Sequence, residues 1–235
     1  MPRKDHIREM FDGVAPTYDR LNHLLSLNID KLWRSRSLTE IVDGSTQQIL
    51  DVACGTGDST IAIAKAAGSG SRVTGVDISE GMMSLVMRKA AHEGVHDRIR
   101  LKMADAEDLP FEDGAFDRVT CQFGIRNFEH KELALKEFLR VLKPGGKVVI
   151  LELSVPRQPF VRRCYDLYFM HVLPWIGGLV SGDKAAYRYL PASVHGFPAP
   201  EKFCAMMVSS GFESVRCKTF TLGLCRMYVG AVASK

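Results

Sequence analysis

The chain has 235 residues, 46% apolar and 25% charged, with a formal net charge of +4 at pH 7. That is enough chain and apolar surface for one full-cored domain. The charge is too mild for a dedicated nucleic-acid binder, although it permits a weak preference for anionic surfaces.

In chain order, the first segment, MPRKDHIREMFDG, lacks the apolar core of a signal peptide. The longest apolar run, Val172–Val180, is far below the roughly 20 residues that span a bilayer. A cytoplasmic location is the expectation. Residues 5–40 read as helical, because Leu21, Leu24, Leu25 and Ile29 recur at helical spacing; Pro16 interrupts the first helix. From residue 47 strands (48–52, 72–77, 98–103, 116–122, 147–153) alternate with helices (58–67, 80–93, 130–141), which predicts an α/β fold with a parallel sheet and helices on both faces. KPGG at 143–146 is read as ending the third of these helices and turning into the fifth strand. Residues 155–195 break the alternation. Their aromatics (Phe160, Tyr165, Tyr168, Phe169, Trp175, Tyr187, Tyr189) interleave with Arg157, Arg162, Arg163, Lys184 and Arg188. A helix at 199–210 and two strands, FESVRCKTF and CRMYVGAVA, follow; their short connection makes an antiparallel addition to the sheet edge. With no linker or repeat, residues 1–235 form one domain: a helical cap (1–44), a ligand-binding core (45–154), an insert (155–198) and a C-terminal unit (199–235). Cys54, Cys121, Cys164, Cys204, Cys217 and Cys225 form no C-x-x-C and no zinc-spaced Cys/His pair, so they read as free thiols of a reducing compartment.

Chemistry concentrates in ILDVACGTGDSTIAIA, residues 49–64: a strand, a glycine turn and a helix. Gly55 and Gly57 let backbone approach a ligand, and the following helix offers unpaired N–H groups. Asp77 ends the second strand and Asp105 the third, and open α/β sheets bind ligands beyond such strand ends. A carboxylate at Asp77 suits a ribose diol. A dinucleotide site requires a third glycine where Thr60 stands, which weakens a nicotinamide-dependent oxidoreductase. A ligand with one small carboxylate fits better.

Asp51, Gly55, Gly57, Asp77, Asp105-Ala106, FDRVTCQFG and RVLKPGGKVVI together resemble class I S-adenosylmethionine-dependent methyltransferases over residues 45–155, with Ala53 in place of the usual first glycine. A closer resemblance covers nearly the whole chain. FDGVAPTYDRLNHLLSLNIDKLWR, LDVACGTGD, DAEDLPFEDGAFDRVTCQFGIRNF, RVLKPGGKVVILELSVP and AYRYLPASVHGFP resemble the ubiquinone/menaquinone biosynthesis C-methyltransferases, and FGIRN with YRYLPAS are absent from generic methyltransferases. The resemblance implies a Rossmann-like class I fold with a mostly parallel seven-stranded sheet and an antiparallel C-terminal edge strand. It implies S-adenosylmethionine as methyl donor, no metal, and methylation of a ring carbon of a polyprenylated quinol, with demethylmenaquinol ahead of the methoxybenzoquinol of the ubiquinone pathway. The expected donor positions are Asp51, Gly55, Gly57, Thr60, Asp77, Ile78, Asp105, Ala106 and Gln122; a small residue is usual where Gln122 stands.

Carbon methylation needs an electron-rich ring carbon held in line with the sulfonium methyl. A quinol hydroxyl with a phenol-like pKa near 10 lies about 3 units, roughly 4 kcal/mol, from ionisation at neutral pH. A fixed cation beside that oxygen lowers the cost. Arg126 is the first candidate, as an electrostatic stabiliser and a poor base. Tyr18 is the second catalytic candidate; Asn22, Asn127 and Tyr187 are placed on the substrate side, and His195 is considered as a base. Each has a plainer reading: Arg126 pairs with Glu129 or caps a turn, Tyr18 only closes the cap, His195 is a surface histidine, and Asp51 organises the glycine loop. The Met82-Met83 and Met206-Met207 pairs read as helix-core filler. The 155–195 insert is expected to line an isoprenoid tunnel and to set its arginines on lipid phosphates at the inner face of the membrane, against the alternative of an ordinary lid with a solvated basic face. No nucleic-acid module is present, and a homodimer is compatible with the reading. The rivals are a methyltransferase of a soluble small molecule and a non-catalytic scaffold of quinone synthesis.

Overall fold

The computed structural model describes residues 4–169 and 184–234. Its sheet has seven strands: β1 (Gln48–Val52), β2 (Arg72–Asp77), β3 (Ile99–Met103), β4 (Phe116–Gln122), β5 (Leu142–Leu153), β6 (Glu213–Phe220) and β7 (Cys225–Ala231). The spatial order is β3-β2-β1-β4-β5-β7-β6. β1 to β5 run parallel, and β7 lies antiparallel between β5 and β6. The C-terminal pair thus joins the edge as a hairpin, with the later strand inside. The order reverses between β1 and β4, and a crevice opens at their carboxyl ends.

The apolar strands are continuous because both faces are covered. In β5, Val148 and Ile150 pack into one core with Phe138 and Phe203, while Val149 and Leu151 enter the other with Trp33, Ile41 and Ile63. Each fully buried side chain of this size contributes about 1.5–3 kcal/mol. Before the sheet come helices α1 (Lys4–Val14), α2 (Tyr18–Leu25) and α3 (Ile29–Ile41), with Pro16 in a short 3-10 turn at Ala15–Thr17. The side chains of Leu21 and Leu25, used for the helical spacing, lie outside the described residues. Between strands run α4 (Asp58–Ala66) and α7 (Lys131–Val141). The helix expected at 80–93 is two: α5 (Glu80–Met83) and α6 (Val86–His92). At the junction the Leu85 N–H turns to the Met82 carbonyl at 3.3 Å, an i−3 bond in place of the i−4 bond of a regular run. KPGG belongs to β5 as an irregularity, because the pairing steps from Phe116–Leu142 to Arg118–Lys147. Met82, Met83 and Met207 are buried, as filler should be.

The insert supplies α8 (Pro159–Leu167) and α9 (Lys184–Gly196), and α10 (Pro200–Ser209) leads to the hairpin. Val172–Val180, Trp175 and the Tyr187 side chain lie outside the described residues. Among those described, no helix is long and apolar enough to cross a membrane.

Candidate active site

The turns after β1 and β4 cross at the switch point. A Cβ on Gly124 would lie 2.5 Å from that of Ala53, so only glycine lets the two turns pass. Ala53 and Phe123, the residues just beyond β1 and β4, both have positive φ (55° and 64°). For a bulky residue such as Phe123 this is rare, and it turns the ring into the crevice.

A cleft of about 930 Å³ occupies the strand ends. Of the expected donor positions, Gly55, Asp77, Ile78, Asp105, Ala106 and Gln122 line it. Asp77 Oδ2 accepts the Gly55 N–H at 2.8 Å and Oδ1 the Ser79 N–H at 2.9 Å. Burial raises the Asp77 pKa against the pull of these N–H donors. The Asp105 carboxylate takes Lys4 Nζ at 2.6 Å, and Lys4 also meets Glu107 at 2.8 Å. Gln122 Oε1 is buried without a hydrogen-bond partner among the described atoms. A ligand bearing an ammonium group fits that orphaned acceptor.

Asp51, Gly57 and Thr60 do not line the cleft. Thr60 Oγ1 donates to Asp51 Oδ2 at 2.6 Å, with both residues fully buried behind the glycine turn. Burial pushes the Asp51 carboxyl up to about 7, and the Thr60 hydroxyl opposes it. Gly57 makes the turn at φ 88°, where a Cβ would lie 2.6 Å from Val86 Cγ1. Asp51 and Thr60 thus lie one layer behind the surface where contacts were expected.

A second cavity of about 1270 Å³ adjoins the first, and its walls are mainly apolar. Tyr18, Arg34 and Phe123 line both. Asn22 and Arg126 line the second; Asn127 opens on the first, nearer the donor side than expected. Tyr18 is kept a neutral phenol by burial, with Arg126 and Arg34 pulling its pKa down. Arg34 lies over the Phe123 ring, 4.8 Å from its centroid, and donates to Ser59.

Arg126 does not pair with Glu129. Its guanidinium meets Glu152 at 2.9 Å, where the side chains of both are almost wholly buried. Glu129 instead lines the first cleft. Arg126 Nε also lies 3.3 Å from Ser193 Oγ, and Tyr189 donates to Asn127 Oδ1 at 2.9 Å. FGIRN and YRYLPAS, more than 60 positions apart, therefore meet in space. His195 is exposed, 3.4 Å from Asp166, and lines neither cavity. The sequence reading missed Glu152, a lone acid in the apolar run VVILELS, and Arg34, whose only signal was its place after Trp33. Among the described residues, no group of three or more His, Cys, Asp or Glu is placed to hold a metal ion.

The model of the ubiE/COQ5 methyltransferase family matches residues 2–232. The chain belongs to that family. It is 45% identical to the ubiquinone/menaquinone biosynthesis C-methyltransferase UbiE of Geotalea daltonii, over 96% of each chain. It is 46% identical to the demethylmenaquinone methyltransferase of Thermus thermophilus, over 94% of this chain and 99% of that one. Family members therefore match it end to end, cap and insert included. Solved structures agree on the fold. The [4+2]-cyclase SpnF superposes with a TM-score of 0.75 at 17% identity, covering 100% of this chain and 98% of that chain. Phosphoethanolamine N-methyltransferase 2 of Haemonchus contortus, in complex with S-adenosyl-L-methionine, superposes at 0.64 and 16%, over 86% of this chain and 52% of that one. A cyclase and a methyltransferase on one fold leave the chemistry to the site.

Proposed function

We propose that this member of the family transfers a methyl group from S-adenosylmethionine to a ring carbon of a polyprenylated quinol, with demethylmenaquinol as the preferred acceptor. The observation that carries the reading is the pair of adjoining cavities, a polar cleft at the strand ends and a larger apolar chamber, joined along Tyr18, Arg34 and Phe123. A polar donor and a greasy acceptor need two such spaces with one common wall. A soluble, polar acceptor has no use for the second.

When bound, the donor supplies an electrophilic methyl on a sulfonium. Gly55, Asp77, Ile78, Asp105, Ala106 and Gln122 would hold it, with Asp51, Gly57 and Thr60 shaping the turn beneath. The ring carbon of the quinolate would attack the methyl, the C–S electron pair staying on sulfur, and the ring proton would pass through water to the quinolate oxygen, which restores the aromatic quinol. Arg126 would stabilise the quinolate oxygen as ionisation brings the ring into reach. Tyr18, as a neutral phenol, would donate a hydrogen bond to the acceptor, which Asn22 helps to orient.

The insert supports peripheral contact with lipid. On α8, Val161, Cys164 and Tyr165 face the apolar chamber, while Phe160 and Leu167 are 79% and 63% exposed beside the exposed Arg162 and Arg163. Apolar residues with flanking arginines suit the boundary of an anionic bilayer.

The test is lipid extraction from cells lacking the protein. Demethylated menaquinone should accumulate, and restoring the gene should clear it; a normal quinone profile would refute the reading. Accumulation of the methoxybenzoquinol precursor instead would move the acceptor to the ubiquinone pathway.

A further inference from the structure

The residue with no assigned role and the strongest geometry is Glu152. It sits on β5 with no exposed surface, in a strand otherwise apolar at this end. Its Oε1 accepts from Arg126 Nη1 at 2.9 Å and from the Leu153 N–H at 2.8 Å. Its Oε2 accepts the Arg126 backbone N–H at 3.1 Å. One carboxylate thus grips both ends of the same residue, its backbone in the short 3-10 turn Ile125–Asn127 and its guanidinium. The Phe123 carbonyl also accepts from Nη1, and Ser193 of α9 sits beside Nε. The guanidinium is held from β5, from the end of β4 and from α9.

A neutral acceptor would suffice to pin the turn. A full negative charge here is costly to desolvate unless it is matched, and what it matches is the cation at the chamber wall. We propose that Glu152 is a positioning residue for methyl transfer: it fixes the orientation of Arg126 toward the acceptor and allows a guanidinium to be kept in a dry site. This rests on the reading of Arg126 as the cation beside the quinol oxygen. It also makes Arg126 one half of a neutral pair, so its stabilisation of the quinolate comes from the aimed edge of the guanidinium rather than from an unpaired charge.

The experiment uses the full chain with a short-tail demethylmenaquinol, reading kcat and KM, and calorimetric binding of S-adenosylhomocysteine. Glu152→Gln should lower kcat on the order of 10²-fold, the scale of a misplaced catalytic group, with KM and product affinity within about twofold. Glu152→Asp, which keeps the charge, should recover part of that loss. In an Arg126→Ala background, Glu152→Gln should cost nothing further, because its effect passes through Arg126. Wild-type kcat in Glu152→Gln overturns the proposal, as does an equal loss in the Arg126→Ala background or no recovery by Glu152→Asp. If Glu152→Gln fails to fold, Glu152→Asp decides alone: a kcat about tenfold lower at unchanged KM supports positioning, and an unchanged kcat overturns it. Should Arg126→Ala itself keep wild-type kcat, the reading of Arg126 falls and this inference with it. A loss in Arg126→Ala without one in the Glu152 variants sinks only the role of Glu152.

Discussion

Asp51 is a carboxyl with no good place for its charge. It is wholly buried, takes one hydrogen bond from Thr60, and leaves Oδ1 without a partner among the described atoms. Its pKa of about 7 lies above the roughly 3.9 of an unfolded aspartate. Between those values the folded chain binds the extra proton, so stability falls as pH rises through the window. Asp51→Asn keeps an acceptor for Thr60 and removes that slope. Calorimetric melting should find the variant above wild type at pH 8, with a clearly smaller gap at pH 5; an equal gap at both would show that charge is not the cause. Arg126→Ala makes the complementary case. Affinity for S-adenosylhomocysteine should hold within about twofold while kcat falls 10²-fold or more, as for loss of an electrostatic stabiliser; unchanged turnover would remove Arg126 from the chemistry.

At the scale of elements, the glycine turn is fitted to the helix behind it. Gly57→Ala adds left-handed strain, costing roughly 1–2 kcal/mol, and a clash with the stiff, buried Val86. A fall in Tm of about 5–10 °C is expected for a chain of this size. Val86→Ala should relieve part of it, so the double variant melts above the sum of the two losses; strict additivity would refute the fit. Much of this level was readable beforehand. The β1, β2 and β4 bounds coincide with the expected ones because long apolar runs between turn residues leave little choice. The break in 80–93 was hidden because the run holds no proline to mark it. Arg34 and Glu152 were hidden for a related reason: periodicity tells that a side chain is buried, not what it faces. The meeting of Arg126 with Ser193 needed the third dimension, although both motifs were conspicuous in one.

The whole molecule is a sheet with its working end closed from two sides. The N-terminal helices are tied over the strand ends by Lys4 to Asp105, by Asp12 to the Gly81 N–H at 3.0 Å, and by Asp19 to Lys89 at 2.7 Å. The insert closes the other side with α8. If α8 rests on lipid, Phe160→Ser with Leu167→Ser should weaken co-sedimentation with anionic vesicles at least several-fold, since interfacial binding scales with the apolar area buried. The same variant should raise KM for a long-tail quinol in vesicles and leave a short-tail quinol unaffected; equal sedimentation of both proteins would refute contact through this face. The wall of Tyr18, Arg34 and Phe123 carries one more consequence. Because the same three side chains border both cavities, any shift one ligand imposes on them is inherited by the other. Thermodynamic reciprocity then fixes the bargain: by whatever factor the donor tightens the acceptor, the acceptor tightens the donor, and a substitution in that wall that alters the factor alters it equally in both directions.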